Sequence, residues 1–480
     1  MVHTVLKNAF ALSVNGSLRV VFGMIIQILI ARVLGAEALG KFAVMTAYIA
    51  IFQVVMQLGL PNLLVREVAR HRSAASRYWW TTTVVLVMAG GVAWGLQVGV
   101  ATVWGHPPDT YAMVVVAGLS LIPFGMVIAT EATLRGLERM SVIPAVQIVA
   151  YTVYTLGVLF TVMWRLPLVF LGWSMVALQV TGALLYLGYL VFRRLVRRPH
   201  VDIHLARKLL RQSPHFYGLP MAAIIPNRVG IIIIAKIIGE EASGIFNAAQ
   251  LVARALFFVS TGYSEALYPA LSRLFVSGKE RFQAGARLAV YYGVVFSATL
   301  ALVMMAWAPW LIYWIFGRPE YQLAVPVLRL LAWEVVLFVL NGVLGVVEMA
   351  ANRQDLTFYI AVVKTVAYTA IIALGTYLGG VMGAAVGTLI SGALSVGLHL
   401  LVVHRLTRSI PAIQNWARAG VVTGIGIVAV DMTATSPLWI AGVVPLLVYA
   451  VAIVVFGVIR YTEIRSFLGQ FQQGTRAITP

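Results

Sequence analysis

The sequence predicts an all-α polytopic membrane protein of about fourteen transmembrane helices, in two parallel-repeat six-helix lobes with two extra C-terminal helices. Three observations predict it. Hydrophobic residues make up 61% of the 480 and charged residues only 11%, where a soluble domain carries about 25% charged. Apolar runs of about 20 residues, each able to cross about 30 Å of hydrocarbon, recur from end to end. The connector Ala31–Val44, ARVLGAEALGKFAV, returns as Ala235–Ala248, AKIIGEEASGIFNA.

Alternating strand patterning is absent, so the spans are helices rather than barrel strands. They are expected near 9–34, 40–64, 79–104, 111–134, 142–164, 168–192, 214–238, 243–271, 288–316, 322–347, 357–378, 380–403, 419–431 and 437–459. The N-terminal run carries Lys7 ahead of it and has no small-residue cleavage site, so it reads as a first span, not a cleaved signal.

The two connector copies share Ala31/Ala235, Gly35/Gly239, Glu37/Glu241, Ala38/Ala242, Gly40/Gly244 and Phe42/Phe246. Six helices lie between the copies, an even number, so both halves run in the same sense and the repeat is parallel. The N-lobe is 1–192, a basic linker 193–213, the C-lobe 214–403, and the last two spans and a tail occupy 404–480. The connector glycines are expected to permit tight turns, and Glu37 and Glu241 to cap the helices that follow.

Formal net charge is +19. With the N-terminus on the cytoplasmic side, the loops and ends there hold 25 Lys and Arg, against 5 outside (Arg32, Lys41, Arg165, Lys236 and Arg318). That asymmetry sets the orientation, with both termini cytoplasmic. It accounts for the basic balance without a nucleic-acid partner. The linker places Val201, Leu205 and Leu209 on one face of a helix lying in the interface. His200 and His204 within it lack a suitable third ligand, and no metal site is expected. There are no cysteines, which removes disulfides, thiolate metal sites and thiol nucleophiles. The outer loops are too short for a catalytic domain, and nucleotide, metalloprotease and hydrolase motifs are missing. The chain is therefore not expected to be an enzyme or to hold a cofactor.

Function then falls to polar residues inside the spans. Arg19, Arg228 and Arg254 sit near mid-depth, on the helices joined by the connectors. Asn15, Arg19 and Gln27 fall on one slowly turning face of the first helix; Asn247, Gln250, Arg254 and Glu265 share a face of the eighth. The second helix adds Gln53 and Gln57. A single Gln or Thr reads as glue between packed spans. Three central arginines, with Glu265 the one obvious carboxylate nearby, read as the lining of a water-filled cationic cavity whose substrate is anionic. Pro220 and Pro226 bend the seventh helix, as a hinge or as a fixed kink. Glu131 and Arg135 form an i,i+4 pair at an inner helix end. Arg329, Glu334, Glu348 and Lys364 read as structural pairs or snorkelling side chains.

The stretch from Leu34 to Phe42, with Gln57–Pro61 and Val65–Glu67, resembles the oligosaccharide flippase, or polysaccharide biosynthesis (Wzx-like), family. That family lies in the multidrug/oligosaccharidyl-lipid/polysaccharide (MOP) exporter superfamily. The resemblance implies a protein of the bacterial-type cytoplasmic (inner) membrane. It implies transfer of an undecaprenyl-diphosphate-linked oligosaccharide to the outer leaflet by alternating access, for cell-surface polysaccharide. Glycosyltransferases and a glycan polymerase become partners, beside the lipid bilayer, and an H+ or Na+ gradient is a source of coupling. On this reading Arg19, Arg228 and Arg254 meet the diphosphate, Asn15, Gln27, Gln53, Gln57, Asn247 and Gln250 line the glycan path, and Glu265 is a candidate for coupling. A lipid II flippase is the nearest alternative. A cation-coupled multidrug exporter ranks lower, because the first two helices hold no central carboxylate.

Overall fold

The computed structural model describes residues 2–196, 200–213, 218–351, 353–407, 413–434 and 436–458. The chain divides into two compact units, Met1–Asn247 and Ala248–Pro480. The described residues hold helices and turns and no strand.

The first unit begins with α1 (Val2–Leu34), α2 (Ala36–Gln57) and α3 (Leu60–Arg70). Gly35, at φ 94°, turns the chain between α1 and α2, a left-handed conformation that glycine adopts without a Cβ clash. The second apolar run does not continue as one helix to residue 64. It breaks at Leu58 and Gly59, both with positive φ, because Pro61 has no N–H for the carbonyl of Gln57. α3 then leaves as a short amphipathic segment.

The next elements are α4 (Ala75–Trp104), α5 (Pro108–Gly118), α6 (Leu121–Gly136), α7 (Val142–Met163) and α8 (Val169–Phe192). The fourth expected span is the pair α5 and α6, parted at Leu119–Ser120, where Pro123 has no N–H for the Leu119 carbonyl, which accepts from the Ile122 amide at 3.3 Å instead. Trp79 of α4 is fully buried, and its indole N–H donates to Thr130 Oγ1 of α6 at 2.9 Å.

The linker contains α9 (Ile203–Gln212), with Leu209 buried. Asp202 caps it by accepting from the Leu205 amide at 3.0 Å and also accepts from Arg77. These two donors hold its carboxyl below the usual range, at about 2. α10 (Gly218–Ile238) follows and packs on α2. It is continuous through Pro226.

Gly239, at φ 101°, repeats the turn of Gly35 and opens α11 (Glu240–Ser277). The starts of α2 and α11 cross with their backbones in contact. A Cβ on Gly40 would overlap the Glu240 carbonyl, and a Cβ on Gly244 would overlap the Ala36 carbonyl. Residues 36 and 40 correspond to 240 and 244 in the repeat, so the contact is reciprocal. This corrects the expectation for the connector: Gly35 and Gly239 turn the chain, whereas Gly40 and Gly244 let two helices touch. Glu37 lies in the first turn of α2 and Glu241 in that of α11, and Glu37 pairs with Lys41 at 2.8 Å. Lys41 also approaches Asp109 at 3.5 Å and Glu240 at 3.8 Å, and Thr110 donates to Glu240.

The second unit holds the rest of α11, α12 (Lys279–Phe316), α13 (Ala324–Leu331), α14 (Glu334–Ala350), α15 (Gln354–Thr407), α16 (Ile413–Met432) and α17 (Leu438–Val455). The tenth expected span is the broken pair α13 and α14. α15 is two helices joined at Gly379–Gly380, whose φ/ψ are not helical. Its arms fold back on each other: a Cβ on Gly387 would lie 3.1 Å from the Ile371 carbonyl oxygen. Leu271, Phe282, Val339, Val343 and Val347 form one core. Tyr291, Leu302, Val422 and Tyr449 form another, joining α16 and α17 to α12.

Among the described residues, ten helical stretches are long and apolar enough to span a membrane. One of them, Tyr359–Arg405, contains the α15 hairpin. With that hairpin counted as two crossings and α10, α16 and α17 added, the expected layout of a multi-pass membrane protein is met. Val92, Leu184, Tyr377 and Val454, more than 60% exposed, form part of the apolar surface such a protein turns to lipid.

Candidate functional site

The polar groups of the first unit converge on one carboxylate. Glu131 of α6 is fully buried. Arg19 of α1 donates through Nη2 to its Oε1 at 3.1 Å and Oε2 at 3.3 Å. Gln147 of α7 donates to Oε1 at 2.6 Å and the Tyr186 hydroxyl of α8 at 3.2 Å. Arg135 donates to Oε2 at 3.5 Å. Four helices thus meet at a single negative charge. An ion this deep persists only when paired and hydrogen-bonded.

This corrects the sequence reading on one point. Glu265 is not the only carboxylate available to the central arginines, because Glu131, 112 residues away in sequence, holds Arg19. The Glu131–Arg135 pair is present, and it is the smaller part of the network. Gln147 and Tyr186 were missed altogether. The signal for them was a lone carboxylate in an apolar span, which demands several donors from neighbouring helices. The Arg19 side chain stays 41% exposed despite the pairing.

Along α1, Asn15 is buried. Two helix turns beyond Arg19, Gln27 donates to the Gly23 carbonyl at 3.1 Å and accepts from Asn247 Nδ2 at 2.9 Å. The structure thus joins two expected glycan-path residues to each other. On α2, Gln57 donates to the Gln53 carbonyl at 2.9 Å, and both side chains are half-buried. Arg228 lies half-buried on α10, two residues after Pro226, and is engaged rather than free.

In the second unit, Arg254 donates to Gln250 Oε1 at 2.7 Å, one helix turn away. Glu334 of α14 and Tyr368 of α15 are its electrostatic neighbours, and Glu334 also acts on Lys364. Glu334 Oε2 is buried without a hydrogen-bond partner among the described residues. Glu348 of α14 and His399 of α15 form a second buried pair at 2.7 Å. Asn341 accepts from Ser395 at 2.6 Å two turns away on the same two helices. The Glu265 side chain lies outside the described residues. Among the described residues no cluster of His, Asp or Glu has the composition of a metal site.

Each unit therefore carries an arginine with a glutamate and a tyrosine nearby: Arg19 with Glu131 and Tyr186, and Arg254 with Glu334 and Tyr368. Such an arrangement suits an anion. Guanidinium donors left over after pairing can take phosphoryl oxygens, two at a time.

A family model described as polysaccharide biosynthesis protein matches residues 5–275. No curated protein sequence matches. Among solved structures, the chain is similar to the lipid II flippase MurJ in an inward closed conformation. The TM-score is 0.72 at 11% identity, over 94% of this chain and 99% of that one. It is similar to an inward-facing MATE-family multidrug resistance transporter of the MOP superfamily, with TM-score 0.62, 12% identity and coverage of 84% and 99%. A MOP superfamily transporter from Pyrococcus furiosus aligns with TM-score 0.53 at 12% identity, over 84% of this chain and 95% of that one. At such identities the structural likeness speaks for the fold. The family match covers more than half of the sequence: the chain belongs to the polysaccharide biosynthesis protein family and has the fold of the MOP superfamily transporters.

Proposed function

We propose that the protein carries a polyprenyl-diphosphate-linked oligosaccharide from the inner to the outer leaflet of the cytoplasmic membrane by alternating access, for cell-surface polysaccharide. The observation that carries this reading is the state of Arg19. Its guanidinium is anchored on a buried carboxylate yet remains two-fifths exposed, as a fixed cation for a phosphate should be. The diphosphate needs compensating charge in a medium of low dielectric constant, and arginine supplies it without risk of deprotonation. Arg228 contributes from α10, and Arg254 is the counterpart within the second unit. Gln27 and Asn247, already bonded to each other, exchange that bond for sugar hydroxyls. Coupling to an H+ or Na+ gradient belongs to this reading, with Glu265 as its candidate residue.

The test is complementation of a cell lacking its own exporter, with Arg19→Ala and Arg254→Ala supplied in turn. Loss of surface glycan at normal protein level is expected for both. Normal export by both variants overturns the proposal.

A second reading, flipping of lipid II for peptidoglycan, has one observation in its favour. The likeness to MurJ runs over 94% of this chain and so extends beyond the twelve repeated spans. Rescue of a strain depleted of its lipid II flippase, without rescue of a surface-glycan mutant, selects that reading.

A further inference from the structure

The strongest unassigned feature is Arg135. The sequence gives it a local partner, Glu131, four residues earlier, and nothing more. The structure gives that partner a second arginine. Arg19 and Arg135 both rest on Glu131, each through Nη2 alone. Two guanidiniums on one carboxylate leave a net positive charge.

We propose that Arg19 and Arg135 form a single diphosphate clamp, with Glu131 as the positioning residue that holds both. This rests on the function proposed above and adds a residue to its site.

Glu131 and its two arginines differ in how much of their hydrogen-bonding capacity is used. A carboxylate offers about four lone-pair sites, and Glu131 takes donors from Arg19, Arg135, Gln147 and Tyr186. Its oxygens are filled and its plane is fixed from four helices. Each arginine, by contrast, has five N–H donors in a rigid fork. Most of them are not used on Glu131.

Arg135 Nε is buried and has no hydrogen-bond partner among the described residues. A buried donor without a partner is costly, and the guanidinium must turn outward for a ligand oxygen to meet it. The two side chains are still 41% and 34% exposed, so a ligand can reach them. Tyr151, which stacks on Phe22 at 5.6 Å, adds an electrostatic neighbour on the Arg19 side.

A diphosphate suits this pair for a physical reason. It presents two phosphoryl groups, each with oxygens that accept from a planar fork, so each arginine can hold one. Glu131 meanwhile screens the two cations from each other while the site is empty. A lysine in place of Arg135 keeps the charge but loses the fork. The same chemistry could come from a lipid-linked headgroup or from free diphosphate.

The experiment uses the full chain in lipid nanodiscs and measures binding of inorganic pyrophosphate by calorimetry. Wild type, Arg19→Gln, Arg135→Gln, Arg135→Lys and the neighbouring control Arg139→Gln are compared, and thermal unfolding of each empty protein is recorded alongside. Expected is a loss of about tenfold or more in pyrophosphate affinity for both glutamine variants. A smaller loss is expected for Arg135→Lys and none for Arg139→Gln. Should Arg135→Gln fail to fold, Arg135→Lys carries the test.

Farnesyl diphosphate in the nanodisc bilayer is then used as a competitor. Tighter binding than pyrophosphate assigns the site to a lipid-borne headgroup, and equal binding assigns it to free diphosphate; either supports the clamp. Absence of pyrophosphate binding by wild type overturns it. So does an Arg135→Gln that loses thermal stability but binds as wild type, since that is the behaviour of a purely structural arginine. An Arg135-dependent site in a protein that rescues no glycan export leaves the clamp standing and removes the transport reading. Normal Arg135→Gln binding with export still dependent on Arg19 does the reverse.

Discussion

Gly40→Ala and Gly244→Ala, made singly and together, test the backbone crossing of the two connectors. A Cβ on Gly40 overlaps the Glu240 carbonyl oxygen and lies 2.7 Å from its carbon; one on Gly244 overlaps the Ala36 carbonyl oxygen and lies 2.8 Å from its carbon. Carbon atoms in contact sit about 3.5–4.0 Å apart, so the crossing must open by about 1 Å at either site. The atoms in the way are backbone, which cannot rotate aside. Overpacking of this kind costs about 1–3 kcal/mol, and we expect about 2 kcal/mol for each single variant.

Two further consequences follow from the reciprocity of the contact. The single variants should cost nearly the same. The second should cost little once the first has parted the helices, so the double variant should fall short of the sum by about 1–2 kcal/mol. Denaturation by SDS in mixed micelles, with a double-mutant cycle, reads all three quantities. Single variants as stable as wild type, or a strictly additive double, refute the close crossing.

Glu131→Ala strands Arg19 and Arg135 without their counter-charge. Breaking a buried pair costs about 3–5 kcal/mol, and the partial exposure of both arginines lowers this to about 2 kcal/mol in the same denaturation assay. Trp79→Phe loses the bond to Thr130 and is expected to cost about 1–2 kcal/mol, with much of that cost absent when Thr130→Val is already in place. His106, bonded to the Tyr48 hydroxyl at 2.9 Å, is held below its ordinary pKa by burial and then by the charge of Lys236. The unfolded chain therefore takes up the proton first as pH falls, and stability should decline from about pH 7 down through about 6.5. His106→Gln should flatten that slope in thermal unfolding measured across the same pH range.

The spans were legible because each is a composition signal read from one stretch of chain. The turn at Gly379–Gly380 was legible too, since two apolar runs meet there with no room for a loop. Helix breaks were less so. Pro61 and Pro123 were in plain sight, but apolar residues on both sides of each proline make one run by composition. Arg19, Arg228 and Arg254 stood out as charges in apolar helices. Their partners did not, because the Arg19–Glu131 bond joins α1 to α6 and depends on a packing that no local pattern encodes. The i,i+4 pair with Arg135 was visible for the opposite reason. Gly40 and Gly244 were seen as repeated and misread as turn residues, since a repeat shows that two segments are alike and not that they touch.

That touching has a meaning for history. Two like segments pressed together so that 40 meets 240 and 244 meets 36 make the contact of an isologous dimer, where one surface patch serves as its own complement. Before the halves were joined in one chain, a single glycine codon would have served both sides of that contact, and any side chain placed there would have struck twice. Fusion would release the two copies to drift. A self-complementary seam leaves less freedom, because each glycine answers to the backbone of the other copy. The repeated connector is thus the place where an ancestral subunit would have recognised itself.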